Sequence, residues 1–174
     1  FGAFFSYLSG SSFVFQNIYA VSPQVYSIIF AVIGAGLLLS GGVPARLAGR
    51  VPDITMLKYS VLVPFIGSAL LLVGVCFEAP LAVIFILLFF TVVPLSVMGA
   101  ASFSLALSRQ GRNAGSASAL IGCFSMLLGA CMMPVVGIAG DHTALPMGIV
   151  MLSCYGLGTA VFYGMIAAEH RTMR

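Results

Sequence analysis

The chain is written in long apolar runs separated by short polar connections. Six runs approach the roughly 20 residues that a helix needs to cross a hydrocarbon core about 30 Å thick, approximately residues 2–20, 24–42, 59–77, 81–107, 116–139 and 145–168. Proline and glycine punctuate the gaps. Pro23, Pro44, Pro52, Pro80 and Pro146 fall in or beside connections, and Pro80 and Pro146 stand where they can open the next helix, a position at which a missing N–H costs nothing. A transmembrane barrel would alternate apolar and polar residues over segments of about ten, and a stretch such as LAVIFILLFF does not alternate. The pattern predicts an all-α integral membrane protein, a six-transmembrane-helix bundle forming a single domain over residues 1–174.

Composition agrees. Of the residues, 61% are hydrophobic and 6% charged, against about half and about a quarter in a soluble domain. So few charges cannot cover the surface of an 18.1 kDa globule in water, and most of that surface must face lipid. The charges also fall only at the ends of apolar runs rather than on one polar face beside aromatics, which excludes a nucleic-acid partner.

Charge placement orients the bundle. Arg46, Arg50 and Lys58 lie between the second and third spans, Arg109 and Arg112 between the fourth and fifth, and Arg171 and Arg174 after the sixth. The opposite connections, 19–23, 78–80 and 140–143 with Asp141 and His142, carry no Lys or Arg. The positive-inside rule makes the basic side cytoplasmic and puts both ends there.

No site for covalent or metal chemistry is expected. Cys76, Cys123, Cys131 and Cys154 sit inside apolar runs with no CxxC pair and read as small packing residues. Cys123 and Cys131 would lie about 12 Å apart along one helix, too far for a disulfide. His142 and His170 belong to opposite membrane faces, so neither a metal cluster nor a nucleophile with its base can be assembled, and an enzyme is disfavoured. A channel or a non-transporting membrane subunit is the other alternative, but charged rings and filter-like repeats are missing.

No Asp, Glu, Lys, Arg or His falls deep within a span, although such residues mark proton relays and ion pathways. Any energy coupling therefore lies elsewhere. The sequence opens on Phe1 inside an apolar run without the basic flank of a signal peptide, and is expected to be a fragment of a longer chain.

Uncharged features carry the remaining information. The first span holds Ser6, Tyr7, Ser9, Ser11, Ser12, Gln16 and Asn17, of which Ser6, Ser9, Phe13 and Gln16 follow helical spacing and are expected to share one face. Such a face must meet protein or a water-filled cavity, serving either interhelical hydrogen bonding or substrate lining. In the fifth span Gly115, Gly122 and Gly129 recur every seven residues, with Ser118 four before Gly122, a flat seam for close helix approach. Gly129, Pro134, Gly137 and Gly140 then weaken its outer end, as a static kink or as a flexing point. Pro64 and Pro94 interrupt the third and fourth spans. Tyr19, Tyr26 and Tyr59 are placed for interfacial anchoring, while Phe13, Phe30, Phe89, Phe90 and Phe124 lie deeper, where a minority could line an apolar ligand site.

Three stretches carry a resemblance: FFSYLSGSSFVFQNIYAVSPQVYSIIFA, LALSRQGRNAGSASALIG and GDHTALPMGIVML. They resemble the C-terminal six-helix half of the major facilitator superfamily in its Bcr/CflA group of bacterial multidrug efflux transporters. The run Ala114-Gly115-Ser116-Ala117-Ser118-Ala119-Leu120 is similar to that group's AG(S/T)AS(A/S)L signature. The resemblance implies two six-helix halves around a central cavity in the bacterial inner membrane, exporting lipophilic or amphipathic drug-like molecules in exchange for protons. It implies no cofactor beyond the proton gradient, and as partners an N-terminal half of the same chain and the lipid bilayer. It also implies that the first and fourth spans line the cavity, the second and fifth flank it and meet the other half, and the third and sixth are peripheral. Ser6, Ser9, Phe13, Gln16, Asn17 and Phe124 are thus the cavity candidates, and Gly115, Ser118, Gly122, Gly129, Pro134 and Gly137 the packing or hinge candidates. The family's carboxylate for protons lies in the other half. One departure stands out. The loop from Gly42 to Asp53 keeps Arg46 and Arg50 but lacks the family's Asp-Arg pair, so a charge-relay gate there is not expected.

Overall fold

The computed structural model describes residues 1–47, 49–108, 110–138 and 143–172, except the side chains of 112 and 167–172. Its elements are α-helices α1 (Gly2–Phe13), α2 (Pro23–Leu47), α3 (Asp53–Cys76), α4 (Leu81–Val92), α5 (Leu95–Leu107), α6 (Ala114–Ile138) and α7 (Leu145–Thr172). A π-helical turn, Val14–Ile18, continues α1, and a 3₁₀ turn, Gly111–Asn113, precedes α6. Asp141, His142, Gly140, Arg109 and Arg174 lie outside the described residues.

Five segments are long and apolar enough to cross a membrane, Pro23–Leu47, Asp53–Cys76, Leu81–Leu107, Ala114–Ile138 and Leu145–Ile166. The sixth is α1 with its π turn. Helix ends depart from the apolar runs, because hydropathy marks the lipid and not the hydrogen-bonded ladder. Thus α2 runs through Pro44 to Leu47, and α3 begins at Asp53, six residues before the apolar run, with Pro52 as its N-cap. The turn between them closes through Gly49 at φ +79°, a conformation that costs glycine little.

Helix α3 is the spine of the bundle, in contact with α4, α5 and α7. Its buried residues Leu57, Val61, Pro64, Ser68 and Leu71 recur at three and four, one face of a helix. Lipid tails are as apolar as leucine, so burial of apolar surface does not drive these helices together and close packing must. Two glycines supply it. A Cβ on Gly67 would stand 2.5 Å from Thr91 Oγ1, and one on Gly36 in α2 would stand 2.7 Å from Val93. Hydroxyls in the spans bond back to their own helices, Ser68 Oγ to the Phe65 carbonyl at 2.8 Å and Ser60 Oγ to the Leu57 carbonyl at 3.1 Å. Among the described residues no buried side-chain nitrogen or oxygen lacks a partner, as a low-dielectric interior demands.

Candidate functional site

Two spans depart from regular helix. In the first, Tyr19 N–H donates to the Val14 carbonyl at 3.1 Å, an i to i−5 bond that closes the π turn. In the fourth, the α-helix gives way to a turn at Val93 and Pro94, where Val93 N–H still donates to the Phe89 carbonyl at 3.0 Å but Ser96 N–H reaches back only to the Val93 carbonyl, at 3.4 Å. The other spans contain prolines without breaking: Pro44, Pro64 and Pro134 sit within continuous helices.

The break in the fourth span is assembled from its neighbours. Proline has no N–H, so the turn around it leaves carbonyls short of partners. Ser40 of α2 donates to the Val93 carbonyl at 2.8 Å, and Tyr155 of α7 donates to the Thr91 carbonyl at 3.1 Å. Thr91 turns its own hydroxyl to the Leu87 carbonyl at 2.6 Å. Gly36 and Gly67 let α2 and α3 approach the same stretch. Irregular backbone at membrane depth survives only where protein or a water-filled cavity takes up its polar groups. Here two hydroxyls from other helices do so.

The π turn rearranges the polar series of the first span. The turn falls between Phe13 and Gln16, and its extra residue rotates Gln16 relative to Ser6, Ser9 and Phe13. Ser6 is fully buried and donates to the Gly2 carbonyl at 2.8 Å, so it sits within the packing of the bundle. Ser9 reaches the Met133 carbonyl of α6 at 3.4 Å. Phe13 packs against the core, Gln16 is half-buried and Asn17 is exposed. Ser11, which stood in the series without a role, meets Tyr26 Oη at 3.1 Å and ties α1 to α2. Tyr19 likewise donates inward, to the Ala79 carbonyl at 2.8 Å, rather than serving only as an interfacial anchor. Tyr59 is 64% exposed, as an anchor would be.

The glycine row of α6 divides in two. A Cβ on Gly129 would stand 2.5 Å from the Phe5 ring, so this glycine admits α1. Gly115, Gly122 and Gly137 have no atom within 4 Å of that position. Helix α1 meets α6 along the stretch holding Gly129 and Met133, beyond Gly115 and Gly122, and those two glycines are seam without a described neighbour. Ser118 is half-buried, Pro134 exposed, and Phe124 60% exposed. The Ser9 bond to Met133 sits one residue before Pro134, which joins the two candidate sets at one point.

Sequence reasoning missed Ser40, Thr91 and Tyr155. A tyrosine midway along an apolar span, away from either interface, was the available signal for Tyr155. It missed Asp53 as well, whose carboxylate accepts from Ser104 Oγ at 2.5 Å and fastens the start of α3 to α5 on the basic side. No cluster of three or more potential metal ligands occurs among the described residues.

No family model matches the chain, and no solved structure matches it. It is 37% identical over 164 residues to the uncharacterized MFS-type transporter YdgK of Bacillus subtilis, covering 94% of this chain and 40% of that protein. It is 25% identical over 163 residues to a bicyclomycin resistance protein homolog of Haemophilus influenzae, covering 94% of this chain and 41% of that protein. The chain thus spans about two fifths of the length of the curated relatives it matches, in their C-terminal part.

Proposed function

This chain is a homologue of the C-terminal part of major facilitator superfamily transporters, and from that premise we propose that it forms half of a drug/proton antiporter, exporting lipophilic or amphipathic molecules across the bacterial inner membrane. One observation carries the reading. The first and fourth spans, which the resemblance assigns to the cavity wall, are also the two whose helices are interrupted, at Val14–Ile18 and at Val93–Pro94. Interrupted membrane helices concentrate where transporters bind substrate, because a bendable helix can reshape the wall of a cavity.

In this reading Gln16 and Asn17 present polarity at the outer end of the path, and Phe13 and Phe124 supply apolar surface for a lipophilic substrate. Ser6 contributes packing and not contact. Gly115 and Gly122 receive a helix of the other half, in the manner of small-residue seams between membrane helices. The coupling carboxylate belongs to that half, since none lies deep in these spans. The test is ethidium efflux driven by a proton gradient in vesicles. The full-length transporter should pump, and residues 1–174 alone should not. Resistance conferred by the six helices alone, or an ion conductance without coupled efflux, would overturn the reading.

A further inference from the structure

A groove of 490 Å³ runs up the side of the bundle between α2, α3 and the α4–α5 break. Its wall includes Leu47, Val51, Tyr59, Val63, Phe90 and Val97 and is almost wholly apolar. The Ser40 and Ser60 hydroxyls on it are already spent on the Val93 and Leu57 carbonyls. Beyond the hydroxyls of these serines, Thr55 and Tyr59, the wall offers a ligand only apolar contact. The volume is that of a site for a drug-sized apolar body, and exposed Val63 and Phe90 open it sideways.

The groove's basic-side end is charged. Leu47 and Val51 adjoin Arg46 and Arg50 in the chain, and Tyr59 adjoins Lys58, all three cations being exposed. A second hollow of 350 Å³, lined by Arg50 and Asp53 among others, shares Val51 with the groove. Asp53 is the acidic group there, and Ser104 already donates to it. Cations at the headgroup level above an apolar slot at hydrocarbon depth match one molecule with both parts. Basic pockets at the ends of membrane helices favour anionic lipid headgroups.

We propose that this groove binds an anionic phospholipid of the leaflet on the basic side, with its headgroup among Arg46, Arg50 and Lys58 and one acyl chain along α3 against the break in the fourth span. No first-span residue lines the groove, which meets the fourth span on its α2 and α3 side, and the proposal does not depend on transport being drug/proton exchange.

Full-length protein in lipid nanodiscs, carrying either phosphatidylglycerol or phosphatidylcholine with a photoactivatable acyl chain, tests it. Adducts should map to residues 55–63 and 90–97. Each basic residue near the headgroups is worth about fivefold in anionic-lipid binding, so phosphatidylglycerol should label this stretch at least about fivefold more than phosphatidylcholine at equal mole fraction. Combining Arg46→Gln, Arg50→Gln and Lys58→Gln should bring the ratio to about one. Val63→Trp, which fills the slot and leaves the charges, should lower labelling by both lipids. Equal labelling of the unaltered protein, a preference that survives the three neutralisations, no adduct within the groove, or labelling unmoved by Val63→Trp would each overturn the proposal.

Discussion

The Tyr155 hydroxyl, in the last helix, donates at 3.1 Å to the carbonyl of Thr91, in the fourth span just before its turn at Val93 and Pro94. With Ser40 bonded to Val93 from the other side, at 2.8 Å, the break is held between α2 and α7. Hydrogen bonds between membrane helices average about 0.6 kcal/mol and reach about 1.7. Tyr155→Phe keeps the ring and removes only the donor, so it should destabilise the protein by about that range, as measured by reversible unfolding in detergent micelles. Ser40→Ala should cost a similar amount. The double variant should depart from the sum of the two, since both act on one stretch.

Pro94→Ala restores an N–H and lets α4 and α5 join. Thermal stability should stay equal or rise, because the interrupted ladder gains a bond. Efflux should nevertheless fall on the order of tenfold at matched expression, if the bend is used during transport. Paired measurements of melting temperature and efflux separate the two effects.

Glycine contacts give a contrast within one helix. Gly129→Ala drives a methyl into the Phe5 ring and should destabilise by about 1–3 kcal/mol, the cost of overpacking a filled site. Gly122→Ala meets nothing within 4 Å and, by removing a glycine from a helix interior, should raise the stability of residues 1–174 by about 0.5–1 kcal/mol. In the full-length transporter Gly122→Ala should lower efflux by closing the seam to the other half. Melting curves of the two variants in both lengths of chain check this.

How much of this was legible in the sequence depended on whether the signal was local. Six apolar runs and their segregated charges give the helices and their order, because lipid imposes that pattern residue by residue. Their ends did not follow, as at Asp53 and Leu47, where the helix outlasts the apolar run. Pro64, Pro94 and Pro134 all fall inside apolar runs and look alike in sequence, yet only Pro94 breaks its helix. The difference lies in Ser40, Tyr155 and Gly36, which are distant in the chain and meet it in space. The π turn at Val14 has no compositional mark either, and it is what separates Gln16 from Ser6 and Ser9.

Gln16 and Ser6 should behave oppositely for the same reason. Ser6→Ala loses a bond to its own helix and should leave substrate affinity unchanged. Gln16→Leu removes a half-buried amide at the π turn and should weaken polar substrates by up to about tenfold, the worth of one hydrogen bond. Efflux kinetics over a substrate series, read as KM against maximal rate, distinguish these outcomes.

Thiol accessibility tests most directly whether the first span borders a water-filled path. The four native cysteines would be replaced by serine in the full-length transporter, and Gln16→Cys, Asn17→Cys and the outward-facing Leu70→Cys introduced one at a time. A membrane-impermeant maleimide should label Cys at 16 and 17, with substrate slowing both reactions, and should spare Cys at 70. Protection of 16 and 17 from the reagent, or labelling that substrate does not slow, would contradict the account.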